Sequence, residues 1–143
     1  MILKYLKKNI TIYNKMSSSL FNNKKKFKET HTLHERITES TRIRSKYPTH
    51  IPVIIECDSK LGPINKHKFL VPSDVSASHL LYSVRKQMDE FKSSQSIFMF
   101  CNNSIICPTT LMVEIYNNYL KNKKEQDDDL FLYIDLCSEN TFG

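Results

Sequence analysis

The run Ile51-Pro52-Val53-Ile54-Ile55-Glu56 constrains this chain more than any other segment. It is rich in β-branched residues and almost continuously apolar, so it reads as a strand. A strand without a polar side needs cover on both of its faces. The rest of the chain has to supply that cover, and its patterning shows how.

Thr32 and Glu35 form a T-x-x-E capping box, and the helix they open carries Leu33, Ile37 and Ile43 among charges. It ends by Tyr47, because Pro48 disfavours α geometry in the residue before it. Gly62-Pro63 marks a loop, and Lys68-Phe69-Leu70-Val71-Pro72 is a second strand. From about Ser76, the residues Ala77, Leu80, Leu81, Val84, Met88 and Phe91 keep helical spacing. Residues 97–100 and 105–107 flank Asn102-Asn103, which tolerate positive φ, and read as a hairpin. Thr109 or Thr110 can cap a helix bearing Leu111, Met112, Ile115, Tyr116 and Leu120. A charged loop at 121–129 leads to a last strand at 130–136. The order is helix, two strands, helix, two strands, helix, strand, which places the chain in the α+β class. The ubiquitin β-grasp has this order; from order alone a ferredoxin-like arrangement is the alternative.

Composition narrows the function classes. At 143 residues and 40% hydrophobic content the chain supports one domain plus an appendage. No apolar run approaches the roughly 18–20 residues needed to cross a bilayer, and lysines interrupt every N-terminal apolar stretch, so no secretory signal is expected. Cys57, Cys101, Cys107 and Cys137 form no C-x-x-C pair and read as reduced thiols of a cytoplasmic protein. His31, His34, His50, His67 and His79 show no ligand spacing with carboxylates or cysteines, and no cysteine lies in a nucleophile motif. No catalytic residues, metal or cofactor are therefore expected.

The net charge of +6 has to be located before it is interpreted. Residues 1–28 hold eight lysines and no acid, which leaves thirteen basic against fifteen acidic residues in the remainder. A nucleic-acid-binding domain is basic in its folded part, so no nucleic-acid partner is expected. On a helical wheel Ile2, Leu6, Ile10 and Tyr13 share one face of residues 1–16, with Lys4, Lys7, Lys8 and Lys15 opposite. That is a basic amphipathic pattern suited to an anionic membrane, although Ile10-Thr11-Ile12 weakens a helix; plain disorder is the other reading. Ser17-Ser18-Ser19 and Lys24-Lys25-Lys26 read as linker, and Met16 is a second possible start. Residues 1–26 are thus a basic N-terminal extension, amphipathic or disordered.

At 42–56, Arg-Ile-Arg-Ser-Lys-Tyr-Pro-Thr-His-Ile-Pro-Val-Ile-Ile-Glu, the sequence strongly resembles the GABARAP and microtubule-associated light chain 3 family of ubiquitin-like autophagy modifiers. Lys66-His67-Lys68-Phe69-Leu70-Val71-Pro72-Ser73-Asp74, Leu132-Tyr133-Ile134 and Phe142-Gly143 add three further blocks, and the match runs over residues 27–143. The resemblance implies a ubiquitin-like β-grasp with additional N-terminal helices. It implies activation of the C-terminal Gly143 by activating and conjugating enzymes and amide formation with phosphatidylethanolamine. A deconjugating cysteine protease is an implied partner, and the lipidated form is expected on the autophagosomal membrane. There it would recruit cargo receptors through peptides with an aromatic-x-x-aliphatic motif. The modifier itself is expected to be no enzyme. The alternative is an unconjugated adaptor that uses the same groove in membrane or cytoskeletal trafficking.

Matching the family's groove puts Glu39, Ile43, Pro52, Ile54, Lys68, Leu70 and Phe131 around an aromatic pocket. Phe69, Val71, Pro72, Val75 and Leu80 fall around an aliphatic one, and Lys66 and Lys68 would meet acidic residues beside the peptide anchors. Taken alone, Ile54 and Leu80 read as ordinary core. His50 and Gln87 stand where relatives usually carry arginine, and Ser83 where they carry an apolar residue, which bears on peptide selectivity. A glycine at the end leaves a carboxylate with no Cβ beside it, suited to threading an enzyme channel. With nothing after Gly143, either priming cleavage is unnecessary or the sequence is already processed.

Overall fold

The computed structural model describes residues 11–12, 26–61, 64–88, 95–124 and 128–139. In chain order the elements are β1 (Thr11–Ile12), α1 (Phe27–Thr30), α2 (Leu33–Lys46), β2 (His50–Cys57), β3 (Lys68–Pro72), α3 (Ala77–Arg85), β4 (Ile97–Cys101), β5 (Ser104–Ile105), α4 (Met112–Asn122) and β6 (Leu132–Ser138). Among the described residues the strands form one sheet in the order β1-β3-β2-β6-β4-β5. β2 and β6 run parallel, and every other pair is antiparallel. This is the mixed sheet of a ubiquitin-like β-grasp.

The apolar run lies in β2, between β3 and β6, with residues 51–55 all buried. Register sorts its neighbours by face. Val53 lies opposite Phe69 and Leu132, and Ile55 opposite Ile134, on one face. Pro52 opposite Leu70, Ile54 opposite Lys68 and Tyr133, and Glu56 opposite Asp135 lie on the other. α1 covers this second face: the Phe27 ring meets Phe131 edge-on at 5.4 Å between centroids, and its N–H donates to Glu56 Oε2 at 3.1 Å. The first face falls to α3 and α4, whose Ala77, Leu80, Val84, Met112 and Ile115 are buried.

Both halves of the Thr32–Glu35 capping box are present, at 3.2 and 2.8 Å, and Tyr47 caps the other end of α2 before Pro48. Asn102 and Asn103 have φ of 49° and 63°, the turn that suits a two-residue hairpin. β5 is shorter than expected and begins one residue earlier, at Ser104.

Other features also depart from the sequence reading, among them β6, which runs from Leu132 to Ser138 instead of over 130–136. The buried stripe of α2 is Arg36, Ser40 and Ile43, with Leu33 and Ile37 only half-buried, because polar partners across the fold satisfy the first two. Neither Thr109 nor Thr110 caps α4; the cap is Leu111, and backbone carbonyls of Val75 and Ser73 receive the N–H groups of Met112 and Val113 at 2.8 and 2.9 Å. The carbonyls of Thr110 and Pro108 in turn receive those of Ala77 and Ser78 at the start of α3, so the two helices cap each other through their entry loops. α3 ends at Arg85, and Phe91 lies outside the described residues. Finally, residues 11–12 are a strand where the wheel placed a helix, in keeping with their β-branched side chains. The rest of the 1–16 stretch, the 17–19 linker and Gly62-Pro63 lie outside the described residues.

Candidate peptide-binding site

β3 is the structural centre of the site. The Ile55 N–H donates to the His67 carbonyl at 2.8 Å, which makes that pair a hydrogen-bonded one in the β2–β3 ladder. Antiparallel pairs alternate, so Val53–Phe69 and Ile51–Val71 also share bonds, whereas Ile54–Lys68 and Pro52–Leu70 do not. The N–H and C=O of Lys68 and Leu70 therefore point away from β2, toward the strand's outer side. The same alternation explains how a proline sits within the strand: Pro52 faces no β3 acceptor that needs its missing N–H.

Side chains of two kinds flank this backbone. On the face covered by α1 and α2, Ile43, Pro52, Ile54, Lys68, Leu70 and Phe131 are buried and Glu39 is half-buried. On the opposite face and the loop beyond it, Phe69, Val71, Val75 and Leu80 are buried. The two expected groups thus fall on the two sides of one strand. Pro72 is the exception, since register places it with Leu70 and Pro52 instead of with Phe69. Ile54 and Leu80 are both 0% exposed, so they belong to the core that floors the site. Lys66 is half-buried in the segment before β3. Gly143 lies outside the described residues.

Lys68 is only 9% exposed, with its ammonium 5.5 Å from the Phe27 ring centroid. Burial lowers its pKa to about 8, with Glu39 pulling the other way. A lysine whose folded pKa is depressed gains stability as it loses its proton. In the window from about 8 up to 10.5, the unfolded chain holds a proton that the folded chain has released. Stability of the parent is therefore expected to rise relative to Lys68→Met across that window. Paired chemical-denaturation curves from pH 7 to 10.5 check this, and parallel pH profiles would contradict it.

The placement of Phe131 depends on residues the sequence reading passed over. Asp129 is 0% exposed; it accepts from Arg36 Nη1 at 3.0 Å and from the Tyr133 hydroxyl at 2.6 Å. The next residue is held from two sides: Leu130 N–H donates to Ser40 Oγ at 2.9 Å, and its carbonyl accepts from the Tyr116 hydroxyl at 2.7 Å. α2 and α4 thereby clamp the segment that enters β6 and seat Phe131 against Phe27. Burial and the Asp129 carboxylate hold the Tyr133 hydroxyl well above its usual range. The detectable signal was the spacing of Arg36, Ser40 and Ile43, a single helical stripe that mixes one apolar residue with two polar ones.

A mixed β-grasp sheet covered by helices on both faces, with β2 and β6 parallel at its centre, defines a ubiquitin-like protein. A family model described as "Autophagy protein Atg8 ubiquitin like" matches residues 35–143. The chain is 41% identical over 121 residues to Autophagy-related protein 8i of Arabidopsis thaliana, covering 83% of this chain and 99% of that protein. It is 40% identical over 119 residues to Autophagy-related protein 8 of Dictyostelium discoideum, covering 82% and 93%. Among solved structures, Trypanosoma brucei ATG8 aligns with a TM-score of 0.67 at 27% identity, covering 80% of this chain and 95% of that one. Plasmodium falciparum Atg8 in complex with a P. falciparum Atg3 peptide aligns at 0.64 and 28%, covering 80% and 98%. The chain belongs to the Atg8 family of ubiquitin-like autophagy proteins.

Proposed function

We propose that this protein is a ubiquitin-like modifier that is conjugated through Gly143 to phosphatidylethanolamine and that recruits cargo receptors at the outer side of β3. Residues 27–143 are the modifier domain and residues 1–26 an added basic extension. In the conjugation the Gly143 carboxylate attacks ATP to form an acyl adenylate with release of pyrophosphate, an enzyme cysteine thiol displaces AMP to form a thioester, and the lipid amine attacks that thioester as the thiol leaves. The chain supplies the acyl group and no catalytic residue. Its partners are the activating and conjugating enzymes and a deconjugating cysteine protease. It is cytoplasmic until the lipid holds it on the autophagosomal membrane. No helix among the described residues is long and apolar enough to cross a membrane.

The observation that carries peptide recruitment is the backbone of Lys68 and Leu70, directed outward between two groups of apolar side chains. An extended peptide adds to such an edge through main-chain hydrogen bonds, and pockets for alternate side chains supply specificity. Ile43, Pro52, Leu70 and Phe131 would receive the aromatic anchor, and Phe69, Val71 and Val75 the aliphatic one, with Leu80 in the core beneath and Pro72 on the Leu70 face. Lys66, Lys68 and Glu39 set the charge around them. That a Plasmodium Atg8 has been solved with a peptide supports a peptide site in the family. Leu70→Ala is expected to weaken an aromatic-x-x-aliphatic peptide by about 1–3 kcal/mol, the loss of one buried anchor contact. Calorimetric titration checks it, alongside a thermal melt that verifies the fold. Unchanged affinity in a folded variant would place the peptide elsewhere.

A further inference from the structure

The outer side of β3 is already occupied. β1 pairs with it antiparallel, with Thr11 opposite Leu70 and Ile12 opposite Phe69. We propose that this N-terminal strand is an intramolecular occupant of the peptide edge, which an external peptide must displace in order to dock. The inference rests on the peptide-docking reading given above.

The argument is one of hydrogen-bond geometry. Leu70 directs its N–H and C=O away from β2, so its pairing with Thr11 is the hydrogen-bonded kind. A peptide that augments the sheet needs the same two groups. Since the other side of β3 is filled by β2, β1 and an added peptide exclude each other. The pairing covers two of the five β3 residues, whereas an aromatic-x-x-aliphatic core spans four positions. A short self-strand is thus suited to being displaced by a longer guest. While unoccupied, the edge is shielded from pairing with other chains. The self-strand lies on the same polypeptide, so it needs no partner concentration to form.

An occupant of this kind lowers the apparent affinity of every competing peptide by the fraction of molecules whose edge is open. Thr11→Pro in the full chain removes the N–H that Leu70's carbonyl accepts and disfavours the strand. Thr11→Val keeps a β-branched residue and its N–H. The probe is a synthetic peptide with a Trp-x-x-Leu core preceded by acidic residues, titrated into all three proteins. Amide exchange at Leu70 is followed without peptide. Thr11→Pro is expected to bind about three- to ten-fold more tightly than the parent, corresponding to an edge open in roughly a tenth to a third of molecules. Thr11→Val is expected to match the parent, and the Leu70 amide to exchange faster in Thr11→Pro alone. If all three proteins bind the peptide equally and Leu70 exchange is unchanged, the self-strand is overturned and the docking reading stands. If no protein binds while Leu70 exchange still accelerates in Thr11→Pro, the pairing is real but the docking reading fails, and the competition fails with it.

Discussion

Gly143→Ala is expected to abolish the proposed lipid conjugate. The proposed reaction moves the carbonyl carbon of residue 143 through a sequence of enzyme-bound thioesters, and each enzyme must enclose that carbon closely. Glycine puts no Cβ beside it and allows backbone angles closed to other residues. Alanine adds a methyl group next to the reacting centre and confines the backbone, so both access and orientation are lost. Misplacing a reacting group by about 1 Å can cost roughly a hundred-fold in rate, and several successive steps multiply the effect. The last described strand, β6, ends at Ser138, and a thermal melt of the variant checks that the fold is kept. The measurement is the faster-migrating lipidated species in starved cells, together with mass spectrometry of the C-terminal peptide. Persistence of an ethanolamine-linked form in the variant would overturn conjugation at this residue. Absence of that form from the parent as well would leave the unconjugated adaptor.

What the sequence made legible followed from local chemistry. The β-branched run of 51–56, the Thr32–Glu35 box, Pro48 after α2 and the paired asparagines each act within a few residues, and each lies where it was read. Matching the family's groove put Leu70 and Phe131 around an aromatic pocket and Phe69 around an aliphatic one before any register was known. Long-range polar pairing was not legible. Arg36 and Asp129 are 93 positions apart, and nothing near either marks the other as its partner. The capping of α4 was missed for a related reason: its N–H groups are satisfied by the carbonyls of Val75 and Ser73, which a local search for Ser or Thr caps does not reach. β1 was hidden by a competing periodicity. The lysines around it suit a helical wheel, and only the pairing partner decides in favour of a strand.

The second large effect is expected at the Arg36–Asp129 pair. Arg36→Met removes the cation from a carboxylate that has no solvent exposure, so Asp129 must either carry an uncompensated charge or take up a proton. Breaking a buried pair from one side costs about 3–5 kcal/mol, a large share of the 5–15 kcal/mol that holds a domain of this size together. Replacing both members, Arg36→Met with Asp129→Leu, removes the stranded charge and is expected to recover part of that loss, because desolvating the original pair was itself costly. Recovery will be incomplete, since the Tyr133 hydroxyl then loses its acceptor. Urea denaturation of the parent, both single variants and the double variant gives the coupling directly. If Arg36→Met costs less than about 1 kcal/mol, solvent reaches the carboxylate and the pair is not structural. The double variant also separates stability from function. Asp129 precedes Leu130, whose backbone is clamped by Ser40 and Tyr116, with Phe131 next in line. A double variant that regains stability but still binds the aromatic anchor poorly would mean that the buried charges are kept for the position of Phe131 rather than for the strength of the fold.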